Sequence, residues 1–254
     1  MCLLPAMLLF VQSASAQILP HRAEYVLRLG TAVNAPRIGT ATQDLMLGCD
    51  AWHLKRDVRG EVPISATWKF DVASTLVGDE ARSGDDLRYR ALLVQNGAER
   101  EVHGKVRRAD GDLRAEITSP EGPAQVPLPA LTRMPVASMG YILDRLRAGS
   151  ASFTTFSFDP QGSSEALRVD VARIDDGAIR RRPPADKPID VPGSSWPVQM
   201  SFTRGAREQQ KPLFAFKARL FESGVLDRVT VDTDVVTLTA DLKALEIHPS
   251  PSCR

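Results

Sequence analysis

The chain has 254 residues, in which 32 lysines and arginines nearly balance 31 aspartates and glutamates. This balance gives no overall field that would draw the protein to nucleic acid or to an acidic membrane surface. Hydrophobic residues make up 43% of the chain and aromatic residues only 6%, so we expect a globular core built mainly from aliphatic side chains.

Residues 1–16, MCLLPAMLLFVQSASA, have the pattern of a secretory signal peptide. A short apolar run from Leu3 to Val11 precedes Ala14-Ser15-Ala16, a small-x-small sequence that favours cleavage after Ala16. No Lys or Arg precedes the apolar run, and a buried N-terminal strand is the alternative interpretation. We expect an exported chain that begins at Gln17, in which no later segment is long and apolar enough to span a membrane.

Two cysteines, Cys49 and Cys253, remain once Cys2 leaves with the signal peptide. An even number of cysteines in an exported protein favours a disulfide, and we predict a Cys49–Cys253 bridge. Two free buried thiols are the alternative. Without a nearby set of histidines, two cysteines so far apart in the sequence make a poor metal site.

The part of the chain before the first proline-rich segment alternates apolar and polar residues, as β-strands do. The clearest run extends from Trp68 to Leu76. Asn96-Gly97 and Asp110-Gly111 are typical of tight hairpins, because both central positions of a type I′ turn need positive φ. They predict an antiparallel meander of three strands between Leu87 and Ile117.

A helix is predicted over Pro135 to Gly149, after a segment, Ser119 to Arg133, that we interpret as a loop because its four prolines cannot donate to a strand ladder. Pro135 suits the first helical turn and Gly149 a left-handed C-terminal cap. The helix has an apolar stripe, formed by Val136, Met139, Ile142, Leu143 and Leu146. We expect a β-structure that curls around this stripe; a helix lying across the outside of a β-sandwich is the alternative.

More strands follow the helix, interrupted by a second proline-rich loop from Arg180 to Trp196. The whole chain contains about twelve predicted strands at the spacing of a sandwich or barrel. We therefore predict an all-β fold with one main helix, in a single domain that spans residues 17–254.

Motifs of catalysis and of metal or cofactor binding are not found in the sequence, which has no HExxH, CxxC, GxSxG, Walker A or dinucleotide fingerprint. None of the four histidines has another histidine three or four residues away. Asp85-Asp86 and Asp175-Asp176 adjoin turns, where such residues are typical turn formers rather than acid–base pairs. The sequence predicts no catalytic residue, metal or cofactor.

Two groups of residues are candidates for binding. Arg180, Arg181 and Arg182 form a basic cluster that would suit an acidic protein partner or lipid head groups, although a solvated loop is the alternative interpretation. The second group would line a ligand cavity, with ordinary core packing as the alternative for its tryptophans; it comprises Trp52, Trp68, Met139, Ile142, Leu143 and Leu146.

Four blocks of the sequence resemble the EipB-type cell-envelope integrity proteins of Gram-negative bacteria. The first two are LPHRAEYVLRL at Leu19 to Leu29 and the early cysteine, Cys49. The third is the helix with the strand after it, MPVASMGYILDRLRAGSASFTTFSFD. The fourth is the ending, ARLFESGV followed by DTDVVTLTADLKALEIHPSPSC, which closes on Cys253. Their order and spacing cover essentially the whole mature chain.

The resemblance implies a periplasmic protein with a long antiparallel sheet wound into a spiral-like, incompletely closed barrel. It also implies a helix on the concave side, the Cys49–Cys253 disulfide, no enzymatic activity and a periplasmic tetratricopeptide-repeat partner. We expect a non-enzymatic protein that supports envelope integrity by binding this partner or a lipid or peptide ligand. A periplasmic enzyme acting on envelope glycan or lipid is the alternative, and would need two carboxylates facing one cleft.

Overall fold

The computed structural model describes residues 18–63, 68–161, 165–184, 186–205, 211–233 and 236–253. The predicted signal peptide, residues 1–16, lies outside the described residues. The described chain forms one sheet of fifteen strands and one α-helix, α1 (Pro135–Arg147). The strands are β1 (His21–Leu29), β2 (Arg37–Leu47), β3 (Ala51–Pro63), β4 (Lys69–Ala81), β5 (Asp86–Gln95), β6 (Ala98–Ala109), β7 (Asp112–Ser119), β8 (Gly122–Leu128), β9 (Thr132–Arg133), β10 (Ser152–Phe158), β11 (Ala166–Arg173), β12 (Ser195–Arg204), β13 (Phe214–Phe221), β14 (Leu226–Asp232) and β15 (Thr237–Ile247).

The sheet has the order β8-β7-β6-β5-β4-β3-β2-β1-β15-β14-β13-β12-β11-β10-β9. Neighbouring strands are antiparallel except for β9 and β10, which are parallel. The pairing of β1 with β15 joins the two halves of the chain into one surface. The two edge strands, β8 and β9, follow each other in the sequence and are connected by residues 129–131 alone. The sheet therefore curls into a nearly closed barrel, which confirms the predicted fold class.

The described residues form fifteen strands rather than the predicted twelve or so. β8 and β9 lie in the proline-rich segment that was interpreted as a loop. Pro123 and Pro127 are accommodated because β8 pairs with β7 alone, so a residue without an N–H can face the unpaired side. The proline rule excluded a central strand correctly but does not exclude an edge strand.

The predicted meander is confirmed as β5, β6 and β7. Its two turns have the positive φ angles that a type I′ hairpin needs, 48° and 82° at Asn96 and Gly97, and 52° and 85° at Asp110 and Gly111.

Helix α1 lies inside the curled sheet, as predicted. Its Val136, Ile142, Leu143 and Leu146 side chains are buried in the same apolar core as the inner faces of the strands. The helix ends in a Schellman motif, in which Gly149 donates to the Leu146 carbonyl and the Ser150 N–H to the Arg145 carbonyl, both at 3.0 Å. The sheet is thus wound around one short helix.

The predicted disulfide between Cys49 and Cys253 is present, with the two Cα atoms 5.5 Å apart. It ties the turn after β2 to the C-terminal segment, 204 residues later. A second link runs nearby, from His248 Nε2 to Asp44 Oδ1 at 2.8 Å. The C-terminal segment is therefore fixed against the side of the barrel rather than trailing from it.

Candidate ligand-binding cavity

A cavity of about 640 Å³ lies inside the barrel beside helix α1. The helix contributes Pro135, Ser138, Met139 and Ile142 to its lining, and the inner faces of strands from both halves of the sheet supply the remainder. This volume falls within the range of roughly 300–1,000 Å³ that is typical of small-molecule sites. The helix fills one part of the barrel and leaves this space unfilled.

One wall of the cavity is aromatic. Phe202 and Phe214 are direct partners across β12 and β13, and their rings stack with centroids 4.5 Å apart. Phe216 extends the stack, with its centroid 5.6 Å from that of Phe202. All three rings are only half-buried although they point to the interior, because part of their surface faces the cavity. This wall can hold an apolar group.

The wall of the cavity that is formed by β2, β3 and β4 is polar. Arg56 donates to the amide oxygens of Gln161 at 3.3 Å and Gln43 at 3.4 Å. Gln161 in turn donates to the Ser74 hydroxyl at 2.9 Å. Gln161 comes from the connection after β10, so this network joins residues that are about a hundred positions apart in the sequence. The cavity therefore has a mostly apolar lining with one polar cluster, a combination that small-molecule sites use for orientation.

Burial sets the electrostatics of this cluster. It lowers the pKa of the Arg56 guanidinium, while the negative charge of Asp159, also in the lining, raises that pKa in part. Burial also raises the pKa of Tyr25 above its usual range, and a hydrogen bond to the Leu226 backbone partly opposes this effect. Arg56 is thus a cation that the fold places in surroundings of low polarity.

A second buried charge, Glu80 on β4, holds the start of helix α1. The Val136 N–H donates to Glu80 Oε2 at 2.8 Å, and the Ala137 N–H donates to Oε1 at 2.7 Å. These are N–H groups of the first helical turn, which have no partner within the helix. Burial raises the pKa of Glu80 to about 7, and the two N–H bonds act in the opposite direction. Glu80 therefore fixes the position of the helix against the barrel wall.

Some of the predicted cavity residues line the cavity and others lie elsewhere. Met139 and Ile142 line the cavity. Leu143 and Leu146 are buried in the core, and Trp52 packs against that core. Trp68 lies at the surface, where 53% of it is exposed. The cavity lining thus includes two of the predicted side chains. The residues of its polar cluster were not predicted.

The three predicted partner-binding arginines differ in their exposure to solvent. Arg182 donates to both carboxylate oxygens of Asp227 at 2.7 Å, and Arg180 makes an ion pair with Asp241. The side chains of Arg180 and Arg182 are only 10% and 13% exposed, so they hold the loop to β14 and β15. Arg181 is exposed.

A second depression, of about 720 Å³, lies on the outer surface of β4 to β8. It is open to solvent, and much of its lining is charged, including Asp79, Arg90, His103 and Lys105. Because it lacks an enclosed apolar wall, the interior cavity is the better candidate for a specific ligand.

Among the described residues, no helix is long and apolar enough to cross a membrane. Among the same residues, no group of three or more His, Cys, Asp or Glu side chains is arranged to hold a metal ion.

Comparisons with known proteins agree with this fold. The model of the EipB-like family matches residues 12–249. The crystal structure of a β-barrel-like protein of domain of unknown function DUF1849 from Brucella abortus is similar, with a TM-score of 0.76 and 18% sequence identity. That similarity covers 92% of this chain and 99% of the Brucella chain. No curated protein matches the sequence. Because the family model covers most of the chain, this protein belongs to the EipB-like family.

Proposed function

We propose that this is a non-enzymatic periplasmic protein that supports the integrity of the cell envelope by holding a lipid-like ligand inside its barrel. The observation that carries the proposal is the interior cavity of about 640 Å³, with its aromatic wall and its single polar cluster. The Cys49–Cys253 disulfide supports an oxidising compartment, in which such bonds persist. Family membership supports a place in the envelope.

An enzyme acting on envelope glycan would need two carboxylates facing one cleft. Among the described residues that line the cavity, Asp159 is the one carboxylate. This lining favours binding over hydrolysis.

A tetratricopeptide-repeat partner, which the resemblance implied, remains a prediction. A partner that docks on the Arg180 to Arg182 loop would meet Arg181 first, because the other two arginines are engaged in ion pairs with Asp241 and Asp227. The outer surface would then serve the partner and the interior would serve the ligand.

The cavity assignment can be tested with N-phenyl-1-naphthylamine, a neutral dye whose fluorescence rises in apolar surroundings. Ala240 lines the cavity on β15, and its replacement in Ala240→Phe would occupy part of the space. We expect this variant to bind the dye about tenfold more weakly than the wild type in a fluorescence titration.

Ala244→Phe is the matched control, since Ala244 is an exposed residue on the same strand and its replacement should leave dye affinity unchanged. Melting curves would verify that both variants are folded. Absence of dye binding by the folded wild type, or equal binding by both variants, would contradict the proposal.

A further inference from the structure

Arg56 lies on the inner face of the barrel, in phase with the core residue Leu54 two positions before it on β3. Its direct neighbours across the sheet are Gln43 on β2 and Leu76 on β4. The side chain is enclosed by the barrel, and the part of its surface that stays accessible borders the cavity. A guanidinium in this position is costly unless something compensates its charge.

The contacts of Arg56 within the described chain are weak for a buried arginine. A guanidinium has five N–H donors, and the two hydrogen bonds at 3.3 and 3.4 Å go to neutral amide oxygens. These distances exceed the usual 2.9–3.0 Å or so of an N–H···O bond. Asp159 acts on Arg56 through its charge and not through a hydrogen bond from the guanidinium. Donor capacity on the cavity side is therefore left for another acceptor.

Neighbouring groups provide further hydrogen-bond donors on the cavity side of Arg56. The Ser74 hydroxyl accepts a hydrogen bond from Gln161, so its own proton is available for an acceptor in the cavity. The same Gln161 side chain holds Arg56 through its amide oxygen. The polar cluster is thus preorganised around the guanidinium, with donors directed to one side of an otherwise apolar space.

From these contacts we propose that Arg56, with Ser74 beside it, binds the anionic head group of an alkyl-chain amphiphile, a carboxylate or a phosphate, while the chain lies along the apolar wall of Phe202, Phe214 and Phe216. This inference rests on the proposed function of the cavity and specifies the chemistry of its ligand. A planar guanidinium matches the two oxygens of a carboxylate or a phosphate, and a charge-assisted pair is strongest where water is excluded. The ligand then supplies the charged hydrogen-bond acceptor that Arg56 does not have among its described protein contacts.

The test is displacement of N-phenyl-1-naphthylamine by three compounds with the same sixteen-carbon chain: palmitic acid, hexadecyl phosphate and hexadecanol. The proteins compared are the wild type, Arg56→Met and Arg59→Met. Arg59 is an exposed arginine on the same strand, so its replacement controls for the loss of one positive charge. For the wild type we expect the acid, the phosphate or both to bind about tenfold to a hundredfold more tightly than the alcohol.

Arg56→Met should lose this preference and keep its affinity for hexadecanol and for the dye, whereas Arg59→Met should behave as the wild type. The more tightly bound of the two anions identifies the head group as carboxylate or phosphate. Equal binding of the acid, the phosphate and the alcohol by the wild type, or an unchanged preference in Arg56→Met, would overturn the inference and leave the cavity function standing. Failure of all three compounds and of the dye to bind the wild type would instead refute the proposed function.

Discussion

Arg56 inside the barrel and Arg182 in the loop after β11 are both largely withdrawn from water, but their surroundings differ. Arg182 has a bidentate pair with Asp227, at 2.7 Å to each oxygen, and a further bond to the Leu242 carbonyl at 2.8 Å. Arg56 has two long bonds to neutral amides. Arg182 thus has strong acceptors within the protein, whereas Arg56 keeps hydrogen-bond donors that are directed into the cavity.

This difference separates two uses of a buried charge. The pair of Arg182 with Asp227 fastens the loop after β11 to β14, and Val191 of the same loop packs in a small apolar cluster with Leu242 of β15. Within the described chain Arg56 makes no ion pair of this kind, and its two hydrogen bonds go to the neutral amides of Gln43 and Gln161. A buried cation that is not needed to hold the fold together is a candidate for binding, and the same substitution at the two positions can separate these roles.

The largest effect is expected for Arg182→Met. Removal of one partner leaves the Asp227 carboxylate buried, and breaking such a pair costs about 3–5 kcal/mol. Urea unfolding should show this loss in the free energy of unfolding. Arg181→Met, at the exposed neighbouring position, should change it by less than about 0.5 kcal/mol. Equal stability of these two variants would contradict a fastening role for Arg182.

Glu80 supplies an intermediate case, because its charge is buried but meets the N-terminal N–H groups of helix α1. Its pKa rises on folding from 4.5 to about 7. The protonated carboxyl is therefore favoured by the fold, and this contribution is fully present below about pH 4.5 and is lost as the pH rises through 7. At about 1.4 kcal/mol per pKa unit, the loss amounts to about 3 kcal/mol.

Glu80→Gln, which is neutral at every pH, should remove that dependence. The difference in free energy of unfolding between wild type and variant, measured at pH 5 and pH 8, should shift by about 2–3 kcal/mol against the wild type. Taking the difference cancels other titrating groups, such as the buried His21, whose pKa is lowered by burial. A difference that is the same at both pH values would show that Glu80 does not titrate in this range.

The smallest effect on stability is expected for Arg56→Met. Replacing a poorly compensated buried charge by an apolar side chain of similar length is often neutral or stabilising. The free energy of unfolding without ligand should therefore change by less than about 1 kcal/mol, or increase. A loss as large as that of Arg182→Met would mean that Arg56 is a structural residue and would weaken the comparison on which its binding role depends.

Local patterns were sufficient for much of the fold. Asn96-Gly97 and Asp110-Gly111 fixed the meander of β5 to β7, and the apolar stripe placed helix α1 against the core. β8 was missed because its prolines are incompatible with a central strand but are tolerated at an edge. The edge position of β8 depends on pairing across the whole sheet, which a local pattern does not reveal.

The cavity was only partly predictable. Arg56 is in phase with Leu54, and Glu80 with Leu76, so a strict period of two already placed both charges on the inner face. A polar residue in phase with an apolar face was therefore the signal that could have identified them. The approach of Gln161 to Arg56 could not be predicted this way, because it is set by the closure of the barrel and not by sequence spacing.

The ion pairs that Arg180 and Arg182 make could not be predicted, for a similar reason. A proline-rich, polar segment from Arg180 is typical of a solvated loop, but the acceptors Asp227 and Asp241 lie on β14 and β15. Asp241 alternates with the apolar residues of β15, whereas β14 is irregular beside Asp227, where Arg228 has a positive φ of 52°. Only the folded sheet brings them under the loop.

The most direct test of the account is native mass spectrometry of the protein purified from its native host without detergent or reductant. The account predicts that the folded, oxidised protein carries an additional mass of the size of a lipid, and that the Ala240→Phe variant carries less of it. A bare mass for the wild type, unchanged after incubation with palmitic acid and hexadecyl phosphate, would contradict the claim that the barrel holds an amphiphile.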